Sequence, residues 1–295
     1  MSTGLQFLFS DNTNIAVQSF GNSFYDLVFK AITTAGSEPV YVFLASLIFW
    51  CFSKKLGIRS MYVILFSSIT PILAKQLLKM PRPPEYLHKI EETGFGFPSG
   101  HALVSSGFWG YMGIKLRRSY ILIPGAIMVL SVSFSRIYLG VHYLGDVLGG
   151  ITLGLFVSVI FFKMEPWVAL QLGKVSRNTK YLAVLLFPAV IVLFASIMYG
   201  FIIEQIEIGI VMASMGLGYL LEEEHIRFND AENNKQRVKR AFIGIVLLGV
   251  IYLISGRLIL IYENFTYIKY ALLGFSSMFV VPWIFKEIEN RINIR

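Results

Sequence analysis

The chain has 295 residues, 55% of them hydrophobic and only 15% charged, where soluble domains carry about a quarter charged residues. A soluble chain of this composition would expose large apolar patches, so an ordinary water-soluble domain is excluded and an integral membrane protein is expected. The formal net charge of +8 reads as a topology signal and a contact with anionic lipid; no basic patch with interleaved aromatics points to nucleic acid.

Taken in order, residues 1–14 lack a basic stretch followed by an apolar core, so no cleaved signal peptide is expected. Residues 15–32 place Phe20, Phe24, Leu27, Val28 and Ala31 on one helical face, while Gln18, Asn22, Asp26 and Lys30 interrupt the rest. This predicts an amphipathic helix lying in the membrane interface, within an N-terminal segment 1–36. Nine apolar stretches follow that are long enough, or nearly so, to cross a bilayer: 37–53, 59–79, 99–116, 119–138, 142–163, 181–201, 205–221, 241–261 and 266–285. The first is short, bounded by Glu38 and Lys54, and Glu207 and Lys269 sit near the ends of the seventh and ninth. The single cysteine, Cys51, excludes an intrachain disulfide and a cysteine-based zinc site.

The expected fold is therefore all-α, a polytopic transmembrane helical bundle of about nine spans. A helical core occupies 37–163 and a four-span region of the same membrane domain occupies 164–295. With the N-terminus outside, most of the 26 Lys and Arg residues fall in inner loops, as the positive-inside rule requires. That orientation puts the loops after the second and fourth spans at the outer face and the C-terminus in the cytoplasm. The stretch 222–240 carries charges of both signs and reads as a solvated cytoplasmic loop. Gly145, Gly149, Gly150 and Gly154 read as small residues that let the fifth span pack closely within the bundle.

Charged groups at membrane depth are costly and mark function. Lys75 lies on the last turns of the second span, which Pro81 and Pro83 stop, so Arg82 sits just beyond on a stiff turn. Lys79, one turn after Lys75, reads as a lysine reaching for the interface. Ser99 is a natural N-cap for the third span, Gly100 lets a ligand approach the backbone, and His101 stands on the first turn beside the positive end of the helix dipole. Ser135 and Arg136 end the fourth span and His142 opens the fifth. Asp146, four residues on, can accept a hydrogen bond from one ring nitrogen of His142 and leave the other as a nucleophile. Alone, such a pair could merely cap a helix. Two histidines and one aspartate among three cations make a poor metal site, so no metal is expected.

Lys75-x6-Arg82-Pro83, Pro98-Ser99-Gly100-His101 and Ser135-Arg136-x5-His142-x3-Asp146 resemble, in order and spacing, the three-part signature of the type 2 phosphatidic acid phosphatase (PAP2) superfamily. The nine-span layout is similar to the branch that holds sphingosine-1-phosphate phosphatases and glucose-6-phosphatase. The runs Leu78–Pro84 and Gly94–Ser99 are similar to its lipid-phosphate members. The resemblance implies an integral membrane phosphatase without cofactor. His142 would attack phosphorus, Asp146 would orient His142, and His101 would protonate the leaving oxygen. Lys75, Arg82, Ser99, Gly100 and Arg136 would hold the phosphate. It further implies a lipid phosphate as partner, either a sphingoid-base phosphate, a phosphatidate-like lipid or a polyprenyl diphosphate, with the site at the extracytoplasmic or lumenal face. A sugar phosphate is the alternative substrate. A transporter is disfavoured because the motif residues gather at one face instead of the midplane.

Overall fold

A computed structural model describes residues 6–200, 203–260, 262 and 264–293. Among them the molecule is helical, with no strand. The α-helices in chain order are α1 (Asp11–Gln18), α2 (Ser23–Ala35), α3 (Glu38–Cys51), α4 (Lys54–Leu78), α5 (Gly100–Leu116) and α6 (Ser119–Tyr138). There follow α7 (Leu144–Lys174), α8 (Arg177–Tyr199), α9 (Ile203–Leu221), α10 (Asn234–Ile259), α11 (Phe265–Phe275) and α12 (Val281–Asn293).

Seven helical stretches among the described residues are long and apolar enough to cross a membrane: α4, α6, α7, α8, α9 continued to Ile226, α10, and Phe265–Arg291. The pair α2 and α3, bent by 52°, adds an eighth if it counts as one span. The expected count of nine is thus higher than these seven or eight. The stretch expected to cross at 99–116 is a helix of 17 residues, at the lower limit of length for a span. Large apolar side chains are exposed along the spans. On α8, Leu182, Leu186, Val190 and Phe194 repeat every fourth residue and all point outward, as a helix facing lipid requires.

The amphipathic helix expected over 15–32 is broken. Asn22 ends the continuity by capping α2, its Oδ1 accepting from the amides of Phe24 and Tyr25. The apolar residues Phe24 and Leu27 are exposed, whereas Asn14 and Thr33 are buried. The segment meets the rest of the fold through both kinds of residue: Phe20 and Phe29 lie against Phe134 and Tyr138, and Gln18 and Asp26 make polar contacts there.

By contacts the chain divides into two units. The first is Met1–Val42 with Val63–Ala169, and the second is Phe43–Tyr62 with Leu170–Arg295. This division differs from the sequence boundaries at 36 and 163, because α3 and α4 each contribute to both units.

The first unit is centred on α5, whose Ala102, Leu103, Val104, Phe108, Tyr111 and Met112 are all buried. Ser105 Oγ lies 2.6 Å from Tyr41 Oη. The glycines of α7 set its close approach to α5: a Cβ at Gly150 would stand 2.6 Å from the Ser99 carbonyl oxygen. At the end of this unit away from the motifs, Glu165 accepts from Lys115 Nζ at 2.6 Å and from Tyr111 Oη at 2.7 Å.

In the second unit, the stretch 222–233 is not the solvated loop expected from its charge. Glu222, Ile226, Phe228 and Ala231 are buried. Lys54 pairs with Glu222 at 2.5 Å, and the Phe228 amide donates to Glu222 Oε1 at 2.9 Å. Arg240, itself buried, pairs with Glu289 through Nε at 2.9 Å and Nη2 at 3.0 Å. Its guanidinium lies against the rings of Phe228 and Phe285. Within 222–240, Glu222 and Arg240 are paired inside the protein, while Glu223, Arg227, Asp230, Glu232 and Lys235 are exposed.

Candidate active site

The residues singled out in the sequence meet at one end of the first unit. The chain direction alternates, so the C-terminal ends of α4 and α6 adjoin the N-terminal ends of α5 and α7. Lys75 comes from the last turn of α4, Ser99, Gly100 and His101 from the start of α5, Arg136 from the last turn of α6, and Asp146 from the first turn of α7. Arg82 and His142 lie in the two connections, 79–99 and 139–143.

His142 precedes α7 instead of opening it, yet its pairing with Asp146 is made. Asp146 occupies the third position of α7 and reaches back past the helix start. Its Oδ2 accepts from the Tyr143 amide at 2.9 Å and lies 3.2 Å from His142 Nδ1. This is the carboxylate half of a capping box, used here to steer an imidazole. The other ring nitrogen, Nε2, lies 3.1 Å from Arg82 Nη1. A guanidinium only donates, so Nε2 carries the lone pair and Nδ1 carries the proton that Asp146 accepts. His142 and Asp146 are both buried.

Arg82 is fixed from several sides. Its Nε donates to the carbonyls of Thr93 and Gly94, both at 3.2 Å, and Nη1 donates to the Val141 carbonyl at 2.8 Å. Arg136 Nη1 donates to Thr33 Oγ1 at 2.8 Å. Three buried polar atoms here have no hydrogen-bond partner among the described residues: Ser99 Oγ, Arg136 Nε and Asp146 Oδ1. Ser99 occupies the N-cap position of α5 without using its hydroxyl as a cap, and its amide donates to the Asp146 carbonyl at 2.9 Å. A buried donor with no partner costs about 1–3 kcal/mol. A site that keeps a hydroxyl and a guanidinium N–H unpaired beside a histidine lone pair is prepared for a ligand with several acceptor oxygens. His101 lies within electrostatic reach of Arg136, Glu92, Lys75 and Arg82. Lys75 in turn is coupled to Arg82, Glu92, Arg136 and Asp146. Lys79 lies past the end of α4 and is exposed, apart from this group.

Sequence reasoning missed the residues that frame this cluster. Glu92, from the 79–99 connection, bridges the two arginines: Oε2 accepts from Arg82 Nη2 at 3.2 Å and Oε1 accepts from Arg136 Nη2. Burial pushes its carboxyl up, but Arg136 and Arg82 outweigh this and hold it below the usual carboxylate range. Asn14, from α1, donates through Nδ2 to the carbonyls of Ile137 at 2.9 Å and His142 at 3.0 Å. Gln18 donates to the carbonyls of Leu87 and Tyr138, both at 2.8 Å. Asp26 accepts from Lys89 Nζ at 2.8 Å and from Tyr138 Oη at 2.6 Å. The only sequence signal for these contacts was the polar residues interrupting the N-terminal amphipathic pattern.

Two family models match the chain. One, described as the PAP2 superfamily, matches residues 57–170. The other, described as PAP2 superfamily phosphatase, transmembrane extension, matches residues 206–291. The chain is 31% identical over 137 residues to an undecaprenyl-diphosphatase of Sulfolobus acidocaldarius, covering 44% of this chain and 66% of that protein. It is 35% identical over 92 residues to the phosphatidylglycerophosphatase B of Bacillus subtilis, covering 28% and 43%. It is 27% identical over 151 residues to the human sphingosine-1-phosphate phosphatase 2, covering 48% and 38%. The matched stretch thus spans between about two fifths and two thirds of these relatives' lengths. The fold is similar to the crystal structure of a transmembrane PAP2 type phosphatidylglycerolphosphate phosphatase from Bacillus subtilis, with TM-score 0.50 at 22% identity over 57% of this chain and 89% of that one. With two models of one superfamily matching more than half of its length between them, this multi-pass membrane chain belongs to the PAP2 superfamily.

Proposed function

We propose that the protein is a metal-independent phosphatase of lipid phosphates, working through a phosphohistidine on His142. The observation that carries this is the chain Asp146–His142–Arg82. A carboxylate fixes the imidazole proton on Nδ1, and the free lone pair of Nε2 points toward a guanidinium where a phosphoryl oxygen would sit. Arg82 Nη1 donates to that lone pair at 3.1 Å. An entering phosphoryl group takes the place of that hydrogen bond and brings phosphorus to Nε2.

The steps follow. The Nε2 lone pair forms the N–P bond as the bond from phosphorus to the lipid oxygen breaks. His101, protonated, gives its proton to that oxygen, and the lipid alcohol leaves. Water then attacks phosphorus, His101 takes a proton from it, the N–P bond breaks with its electrons returning to Nε2, and inorganic phosphate is free. Lys75, Arg82 and Arg136, with Ser99 Oγ and the Gly100 amide, hold the charge that gathers on the phosphoryl oxygens. Fixed donors of this kind are each worth about 3 kcal/mol, on the order of 10²–10³ in rate. Asp146 balances the charge that His142 gains.

A lipid substrate is favoured by the relatives, which act on undecaprenyl diphosphate, phosphatidylglycerophosphate and sphingosine-1-phosphate according to their names. A site at the end of membrane helices also lets a lipid tail remain in the bilayer while its headgroup enters. The distribution of Lys and Arg supports a site at the extracytoplasmic or lumenal face, with the N-terminus outside and the C-terminus in the cytoplasm.

The test is phosphate release by the purified protein in detergent and EDTA. The panel holds a sphingoid-base phosphate, a phosphatidate, a polyprenyl diphosphate and a sugar phosphate, beside a His142→Ala control. We expect release from the lipids that survives EDTA and vanishes in the control. Release that needs a divalent ion, or that persists in His142→Ala, would reject the mechanism, and preference for the sugar phosphate would reject the substrate class.

A further inference from the structure

The cluster of cations already holds an anion of the protein's own. Glu92 touches Arg82 Nη2 and Arg136 Nη2 with one oxygen each. The two arginine side chains are 7% and 2% exposed, whereas that of Glu92 is 26% exposed. The carboxylate therefore reaches the guanidinium groups from the more open side. The arginines have anchors that do not depend on it: three carbonyls for Arg82 and Thr33 Oγ1 for Arg136. Two oxygens placed on two guanidinium groups are the pattern that two terminal phosphoryl oxygens would make.

We propose that Glu92 is a built-in competitor, whose carboxylate fills the seat of two phosphoryl oxygens until a substrate displaces it. This rests on the phosphatase reading above and deepens it. An anion that enters must offer these arginines more than a carboxylate does. A terminal phosphate, as a dianion with three free oxygens, does so, and it also meets Ser99 Oγ and Arg136 Nε, which Glu92 leaves unpaired. Inorganic sulfate, also a dianion with free oxygens, can take the same seat. Displacing Glu92 costs the same whichever anion takes its seat, so the competitor weakens every anion there by one factor and keeps weakly held anions from blocking the site. It also shortens the stay of inorganic phosphate once the lipid alcohol has gone.

The experiment is inhibition of phosphatidate hydrolysis by inorganic phosphate and by inorganic sulfate, in wild type, Glu92→Gln and Glu92→Asp. Losing a charged hydrogen-bond partner of this strength shifts affinity on the order of tenfold. Glu92→Gln is expected to tighten inhibition by phosphate and by sulfate alike, each by about that factor, with a lower KM. Glu92→Asp, which keeps the charge, is expected to stay near wild type. Unchanged or weaker inhibition by either anion in Glu92→Gln, or a Glu92→Gln protein that does not fold, would overturn the proposal. If the wild type releases no phosphate at all, the phosphatase reading fails instead. Calorimetric titration of the three proteins with inorganic phosphate then decides the competitor by the same ranking.

Discussion

Two buried arginine clusters in this molecule differ in one respect that separates scaffold from site. In the second unit, Arg240 meets one carboxylate, Glu289, with two parallel hydrogen bonds. Its remaining Nη1 donates to the carbonyls of Trp50 at 3.1 Å and Asn229 at 2.8 Å. Charge and donors are balanced, and the rings of Phe228 and Phe285 lie against the guanidinium. In the first unit, Arg82 and Arg136 share the single carboxylate Glu92, Lys75 adds a third cation, and Arg136 Nε has no partner. A balanced cluster holds helices together. One with surplus cations and unpaired donors is stable only in a form ready to bind an anion, because an uncompensated buried charge is costly.

Substitutions in either cluster can break the comparison. The largest effect is expected at His142, the proposed nucleophile. His142→Ala should lower turnover by at least about 10⁴-fold, as loss of a covalent nucleophile does, with the detergent-solubilised protein still monodisperse on gel filtration. Arg240→Ala should act on the fold instead. Breaking a buried pair costs about 3–5 kcal/mol, so thermal unfolding should move down sharply. The KM of whatever protein survives should match wild type. Arg136→Ala should do the reverse, cutting kcat/KM on the order of 10²–10³ with little change in unfolding temperature. If Arg136→Ala and Arg240→Ala shift stability alike, the distinction between the clusters fails.

Smaller effects sharpen the picture. Asn14→Ala frees the carbonyls of Ile137 and His142 and should loosen the loop that carries the nucleophile. Losses at supporting residues of this kind run about 10–100-fold. The loss should fall in kcat and leave KM in place, because Asn14 reaches no phosphate donor directly. Lys79→Ala, beyond the end of α4, should leave kcat/KM within roughly twofold, as exposed surface changes do.

Much of the site was legible because its residues announce themselves locally. Polar and charged side chains in an apolar chain are few, and each motif sits at a helix end that a proline, an N-cap or a span boundary marks. Most of the membrane helices were legible from run length, but the count was too high: the stretch at 99–116 is a helix of 17 residues, outside the seven or eight long enough to cross. What could not be read was whatever depends on distant pairing. Glu92 is one of three acids between Glu85 and Glu92, and nothing local says that it crosses to Arg136 on α6. Asn14 and Thr33 lie more than 100 residues from their partners. The same blindness made 222–233 look solvated throughout, since Lys54, the partner of Glu222, comes from a segment far away in sequence. The expected helix over 15–32 failed for a local reason that was visible in retrospect: Asn22 is a strong N-cap, and it starts a new helix.

The central claim is a covalent bond between phosphorus and His142, and it is open to direct observation. The protein would be mixed with a lipid monoester carrying radiolabelled phosphate, quenched in alkali within one turnover, digested and sequenced by mass spectrometry. The account predicts label on the peptide containing His142, stable to alkali, labile to acid and absent from His142→Ala. An enzyme that turns over under these conditions with no label on any peptide, or with label on a residue other than His142, would contradict it.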